Sequence, residues 1–355
     1  MNGAGIPVVN ATIYQDNPYH ALLYAGLAGR YDPIRGGIEE AFSLLPDGPA
    51  LLHIHWEEHA LRGAASPAEA MLTARHLGAR LAAFRQAGGR ILWTLHNAEP
   101  HEALPGAAFV EWRRAIAAQA HRILIHSTEA LTILEAAVGP VAEKAFLLPH
   151  PAYLGVHEAE AAAPAFPEGR GLLCFGKLRG YKRLDRVLAA LPEEFLQSHN
   201  ARLTIAGEAL PGDAALAALQ AATADRLTLD WQTRRIPDAE TAQFFRASRA
   251  VVLDYERHLS SGVALLALSF GRPLLAPRLP GLLEILPAAA HPLLFIPGSA
   301  EDLRRAAAEI LGMEAGEYAA LAQACLERAR HYHPLRISRI LGALYDEVLG
   351  PAYSS

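Results

Sequence analysis

The chain has 355 residues, 52% of them hydrophobic and 19% charged, with a net charge of −5. That length predicts two globular domains and excludes a disordered chain; without a block of like charge, nucleic acid is excluded as the main partner. Cys174 and Cys325 lie far apart in apolar surroundings, which predicts buried thiols of a cytoplasmic protein and not a disulfide framework.

The opening residues, MNGAGIPVVNATIYQDN, lack a basic region followed by an apolar one, so no secretory signal is expected. No apolar run approaches the roughly 20 residues of a membrane span, so any membrane role is expected to be peripheral, at the inner face. Residues 7–14 form a candidate first strand. Asp16-Asn17-Pro18 is a turn that places Pro at a helix start, with helix over 19–27. Residues 50–55 form the second clear strand. Ser66-Pro67-Ala68-Glu69 combines a capping serine, Pro at the first position and an acid three residues after the cap. That helix is expected to run to Gln86 and stop at Gly88-Gly89. Residues 90–95 read as strand, 107–118 as helix, 122–126 as strand, 128–137 as helix and 145–148 as strand. Such alternation predicts a parallel sheet with helices on both faces.

The segment HPAYLGVHEAEAAAPAFPEGRG, residues 150–171, breaks this rhythm with three prolines and reads as a linker. The alternation restarts with strands at 171–175, 202–206 and 227–230 and helices at 184–191, 213–222 and 238–246. Residues 251–253 form a strand that ends at Asp254. A polar loop leads to Ser260-Ser261-Gly262 and an apolar helix that Gly271 stops, followed by a strand over 273–276. Ser260 and Ser261 are good N-cap residues, and a helix N-terminus suits a phosphate or diphosphate; simple capping is the competing reading. A strand at 292–296 and three helical patterns near 301–311, 316–329 and 335–348 close the chain.

The run Tyr255…Ser260-Ser261-Gly262…Ala267-Leu268-Ser269-Phe270-Gly271-Arg272-Pro273 resembles the donor-binding segment of GT-B glycosyltransferases. The nearer resemblance is to bacterial exopolysaccharide glycosyltransferases, family-4-like and including xanthan-type β-1,4-mannosyltransferases. The resemblance implies an α/β fold of two Rossmann-like, doubly wound parallel-sheet domains facing across a cleft. Domains follow as 1–152 on the acceptor side, a linker at 153–170, and 171–334 binding the nucleotide sugar. A last helix in 335–355 is expected to cross back to the first domain. One departure stands out. The retaining family-4 branch carries a spaced pair of glutamates, and those positions here hold His258 and Leu266.

The resemblance assigns donor-binding roles to Ser260, Ser261 and Gly262, and to Lys177 and Lys182 in Phe175-Gly176-Lys177-Leu178-Arg179-Gly180-Tyr181-Lys182. Two cations aimed at a leaving diphosphate stabilise its developing charge without a metal; a solvated basic turn is the alternative. Arg235 and Ile236, in the loop after the strand ending at Asp230, are candidates to hold the nucleotide base. Glu284 matches a position where the family keeps a glutamate near the nucleotide. The expected donor is a GDP- or UDP-sugar, the acceptor a glycan or polyprenyl-linked chain.

The first half is rich in histidine. His53 and His55 share one strand face by period two. Two such imidazoles suit zinc, but no cysteine pair or His-Glu helix motif accompanies them, so neither metal nor cofactor is expected. The loop Trp93 to Glu102 resembles the HN…PHE stretch of polysaccharide glycosyltransferases and lies where an α/β sheet presents its site. An inverting transferase needs a base for the acceptor hydroxyl; the candidates are His96, Glu102, Glu58 and Asp16. Arg75, Arg80 and Arg85 with Trp112-Arg113-Arg114 form either a patch for anionic lipid or ordinary solvated helix faces. The activity the resemblance implies is hexosyl transfer, with mannose among the candidate sugars, in bacterial polysaccharide synthesis. A sugar-nucleotide epimerase and a non-catalytic binding protein on the same architecture compete with it.

Overall fold

The computed structural model describes residues 5–12, 17–98, 105–167, 169–255 and 262–351. The chain divides into two compact units, residues 1–151 with 334–355, and residues 152–333. In the first, β1 (Ile6–Ala11), α1 (Pro18–Tyr24), β2 (Tyr31–Arg35), α2 (Ile38–Leu44), β3 (Leu51–His55), α3 (Pro67–Gln86), β4 (Arg90–Leu95), α4 (Gly106–Gln119), β5 (Arg122–Ile125), α5 (Thr128–Val138) and β6 (Ala145–Leu147) alternate. All strands pair in parallel, in the order β2-β1-β3-β4-β5-β6.

The second unit contains β7 (Gly171–Phe175), α6 (Leu184–Ala190), α7 (Glu193–Ser198), β8 (Arg202–Ala206), α8 (Ala214–Ala222), β9 (Leu229–Gln232), α9 (Asp238–Ala247), β10 (Ser248–Val252), α10 (Gly262–Ser269), β11 (Leu274–Pro277), α11 (Pro280–Ile285), β12 (Leu294–Phe295), α12 (Ala300–Gly312) and α13 (Ala315–His331). Its strands are again parallel, ordered β12-β11-β10-β7-β8-β9. Finally α14 (Pro334–Leu349) returns to the first unit. There it buries Ile337, Leu341 and Leu344 in the core with Val8, Leu51 and Leu92, and Ser338 Oγ accepts the Gly26 N–H at 2.9 Å.

Local signals account for most boundaries. Ser66 Oγ accepts the Glu69 N–H at 3.2 Å and Pro67 opens α3. Gly88, with φ +98, turns the chain out of it. Side chains are excluded at Gly89, where a Cβ would fall 2.4 Å from the Phe84 ring. Elements outside the expected set are β2, α2, α7 and α11. β2 carries Pro33, which only an edge strand tolerates, and lacks a clean apolar alternation. The other three have seven residues or fewer, too short to show a helical period.

The segment expected as a linker lies against the second unit. Ala152 N–H bonds Tyr332 O at 2.8 Å, and Arg330 Nη2 donates to Ala161 O and Ala162 O at 2.8 and 3.0 Å. Of the residues read either as a lipid patch or as ordinary solvated helix faces, Arg75 and Arg114 are exposed on α3 and α4. Arg80 pairs with Glu39, Arg85 donates to the carbonyls of Ala118 and Gln119, and Trp112 and Arg113 are buried. The physical reason is Glu57, a buried carboxylate that draws Arg113 inward. No helix among the described residues is long and apolar enough to cross a membrane.

Candidate active site

In open parallel sheets the ligand crevice lies at the carboxyl ends of the strands, where strand order reverses. In the second unit that point is between β7 and β10. Immediately after β7, Gly176 takes φ +89 and the chain turns through a 3-10 segment, Gly180–Lys182. Lys182 is buried, and its Nζ donates to Phe175 O at 2.6 Å. Burial lowers its pKa to about 8, with Cys174 opposing and Arg179 assisting. A Cβ placed on Gly176 would lie 3.2 Å from Lys182 Nζ and 3.4 Å from Val263 Cγ2, so the ammonium sits beside the first turn of α10. Lys177 instead is exposed. The strand ends are tightly drawn together: a Cβ on Gly207, after β8, would fall 2.0 Å from Gly176 O.

Gly262 opens α10, and a Cβ there would fall 3.0 Å from Tyr153 Oη. Ser260 and Ser261, the expected caps of this helix, lie outside the described residues, as does His258. Arg235 is exposed after β9, while Ile236 packs partly against the core. Glu284 is half-buried in α11. Lys182, Gly176 and the start of α10 are thus brought together. Sequence reading missed Asp254 at the end of β10. It is buried, and Arg186 of α6 grips it with Nε–Oδ2 at 2.8 Å and Nη2–Oδ1 at 3.1 Å.

The first unit reverses between β1 and β3, and the polar groups there are unusual. β3 ends at Trp56, which holds φ 47 and ψ 57, a left-handed conformation that costs an L-residue about 1–2 kcal/mol. A 3-10 turn, Glu57–Leu61, follows. Glu58 is 3% exposed. Its Oε1 accepts the Asn97 amide at 2.8 Å, and its Oε2 has no hydrogen-bond partner among the described residues. Burial first, then the charge of Glu57, pushes the Glu58 carboxyl up to about 7.

His96, just after β4, stacks on Trp56 and its Nε2 lies 3.0 Å from His55 Nδ1. His53 and His55, on one face as expected, both hydrogen-bond Tyr24 Oη, and His53 also bonds Thr94 and Tyr345. Burial drives His53, His55 and His96 well below the ordinary imidazole range, with neighbouring histidines adding to it. His20 Nε2 and Asn10 Oδ1 are also buried without partners. Glu102 and Asp16 lie outside the described residues. Among the described residues, Glu58, pushed up to about 7, lies in the same unit as His53, His55 and His96, which burial keeps neutral.

Residues 169–313 match the family of glycosyl transferases group 1. A GDP-mannose:glycolipid 4-beta-D-mannosyltransferase of Xanthomonas campestris pv. campestris is 30% identical over 268 residues, covering 74% of this chain and 70% of the relative. The chain belongs to the group 1 glycosyltransferases. In fold it is similar to Anabaena HepE in complex with UDP, at TM-score 0.69 and 11% identity, over 96% of this chain and 99% of that one. The sucrose-phosphate synthase of Thermosynechococcus elongatus gives TM-score 0.69 at 16% identity, over 96% and 98%. These neighbours have the GT-B fold, which this glycosyltransferase shares. Its family match spans β7, α10 and Lys182. In this group 1 enzyme Trp56, Glu57, Asn97 and Arg113 escaped sequence reading; only the paired acids after a strand hinted at them.

Proposed function

We propose that this glycosyltransferase moves a hexosyl group, mannose by preference, from a nucleotide-diphosphate sugar to a glycan or polyprenyl-linked acceptor without a metal ion. The mannosyltransferase relative and the UDP bound by a structural neighbour support the donor class. Lys182 and the first turn of α10 hold the diphosphate, and Lys177, Ser260, Ser261, Arg235, Ile236 and Glu284 complete the donor site. The acceptor binds the first unit. Its hydroxyl attacks the anomeric carbon, the bond to the diphosphate breaks, and the proton passes to Glu58 as Lys182 balances the charge on the leaving group.

One observation carries this reading: a buried carboxyl pushed up to about 7, with one oxygen lacking a hydrogen bond among the described residues, just past the carboxyl end of β3, a strand that flanks the switch point of the first sheet. The test is incubation with GDP-mannose and UDP-sugars, with a polyprenyl diphosphate-linked oligosaccharide, in EDTA. Acceptor-linked sugar in EDTA is expected. A free isomerised sugar nucleotide would instead make the protein an epimerase, and binding without turnover would leave it a non-catalytic relative. Activity restored only by magnesium would overturn metal independence. Peripheral membrane contact belongs to the same proposal through a lipid-linked acceptor; of the arginines on α3 and α4, Arg80, Arg85 and Arg113 are engaged within the protein, while Arg75 and Arg114 are exposed.

A further inference from the structure

Glu57 and Glu58 are adjacent acids with opposite surroundings. The Glu57 carboxylate takes Arg113 Nε on Oε1 at 2.7 Å and Trp93 Nε1 on Oε2 at 3.2 Å, and its backbone carbonyl takes Trp112 Nε1 at 2.9 Å. Side-chain exposure of the ion pair is 2% and 1%. Arg113 does more than neutralise Glu57. Its Nη1 donates to Ala98 O at 2.7 Å and its Nη2 to Asn97 O at 2.6 Å. One guanidinium on α4 therefore ties the turn after β3 to the loop after β4. Asn97, fixed by its carbonyl, reaches back with its amide to Glu58 Oε1 at 2.8 Å. The ring of Phe109, one turn earlier on α4, lies 4.2 Å from the Arg113 Cζ and helps hold the fork.

We infer that the buried Arg113–Glu57 pair is a positioning device for the acceptor base: it sets the Asn97 amide against one oxygen of Glu58 and leaves the other without a hydrogen bond among the described residues. The inference rests on the reading of Glu58 as base. An isolated buried pair is a poor source of stability, because desolvation offsets its attraction. A pair whose donors also fix two loop carbonyls instead specifies geometry. Lysine could supply the charge but not a planar fork reaching Glu57, Asn97 and Ala98 together.

The pair also sets the proton affinity of Glu58. The charged groups facing Glu58 among the described residues are Glu57 on its own turn, which raises it, and Arg113 from α4, which lowers it; the Asn97 amide lowers it too. His59, on the same turn, has both ring nitrogens shielded from solvent. Removing the Glu57 charge should ease ionisation of Glu58, and removing the Asn97 amide should hinder it.

The experiment is the pH dependence of kcat/KM for Glu57→Gln, Asn97→Ala, Arg113→Lys and Glu58→Gln, with GDP affinity as control. Glu57→Gln keeps the volume of the side chain and one acceptor oxygen, but its NH2 faces either Arg113 Nε or Trp93 Nε1, so its folding is checked by the GDP affinity and its melting temperature. Its acid limb should move down by about one pH unit, and that of Asn97→Ala up by about half a unit, from the sign of each interaction. Arg113→Lys should lower kcat about tenfold or more while GDP affinity holds. If Glu58→Gln abolishes turnover yet both limbs stay in place, the pair positions nothing and the inference fails. If Glu58→Gln keeps full turnover, the base assignment itself falls. If Arg113→Lys fails to fold, the opposite limb shifts still decide.

Discussion

The indole of Trp56 lies flat on the imidazole of His96, with ring centroids 3.9 Å apart and planes 8° from parallel. The contact joins the carboxyl ends of β3 and β4, which are hydrogen-bonded neighbours. It also explains how a left-handed tryptophan persists: only that backbone turns the chain into Glu57–Leu61 while leaving the indole against His96 and Tyr19. Trp56→Ala should remove the stack and keep the strain, costing about 3–5 kcal/mol. Trp56→Gly loses the same stack but adopts φ 47 freely. Strain relief of about 1–2 kcal/mol is partly offset by a looser unfolded chain. The glycine variant should therefore melt above the alanine variant. Equal melting temperatures would show that the conformation carries no strain.

Acid should unfold the first unit early. His20 and His126 are lowered to about 4 and His53 to about 3, all chiefly by burial, and His55 and His96 lie well below the ordinary imidazole range. Their folded values are below the unfolded value of 6.5. The unfolded chain thus binds more protons, and stability present above pH 6.5 is lost as pH falls toward 4. Each histidine contributes about 1.4 kcal/mol per pH unit where the two states differ by a full proton. A titration of thermal stability from pH 7.5 to 4.5 should show a steep fall. A flat profile would mean that the histidines are solvated.

Glu58 acts with the opposite sign. Its folded value, about 7, exceeds the unfolded 4.5, so stability is lost as pH rises between these values. Glu58→Gln should therefore be more stable than the parent at pH 8, by up to about 3 kcal/mol, while losing turnover. A stable, inactive variant is the result expected from the proposed role of this buried carboxyl as base. A destabilised one would assign Glu58 to the fold.

The alternation of strands and helices was legible because each buried strand is an apolar run and each long helix carries its own start signal, as Ser66-Pro67 does for α3. His53 and His55 were legible as a pair because strand period is a local property. Arg113 was not. Its partners, Glu57, Asn97 and Ala98, lie 56, 16 and 15 residues away, and in the sequence it stands among helix arginines with a lipid-binding look. Only the sheet order, which sets β3 beside β4 with α4 following, brings these groups together. Likewise Lys177 and Lys182 read as equivalent cations, although one is exposed and the other held on Phe175 O.

That difference is testable. Lys182→Ala should weaken GDP binding by about 1.5–3 kcal/mol, the worth of a charged hydrogen bond, and Lys177→Ala by less, because solvent screens an exposed charge. Since Lys182 loses its proton above about pH 8, GDP affinity should decline as pH rises past 8. In Lys182→Arg, whose guanidinium stays charged, that decline should vanish. Calorimetry at pH 7 and 9 decides it; identical losses for the two lysines, or a decline unchanged in the arginine variant, would remove Lys182 from the donor site.

Tyr153 and Gly262 supply the last test. Tyr153 follows closely on the boundary between the units and touches α10 at both ends: its N–H donates to Ser269 Oγ at 2.9 Å, and its hydroxyl faces Gly262. An alanine at 262 is the better helix former by about 1 kcal/mol. Here its methyl would meet Tyr153 Oη at 3.0 Å, closer than ordinary contact, while the ring carbon Cζ stays at 3.8 Å. A side chain at the opening of α10 thus crowds a tyrosine hydroxyl, which must give by a few tenths of an ångström, beside the place where the diphosphate is proposed to bind. Gly262→Ala should displace the first turn of α10 and weaken GDP and UDP binding about tenfold, in line with overpacking costs of about 1–3 kcal/mol. Tyr153→Phe removes the clashing oxygen. The double variant should recover most of the affinity lost by Gly262→Ala, a coupling of about 1 kcal/mol or more between touching residues. Nucleotide calorimetry on the four proteins of this cycle measures it. Additive losses would mean that Tyr153 does not brace the donor helix, and an unaffected Gly262→Ala would separate the opening of α10 from nucleotide binding.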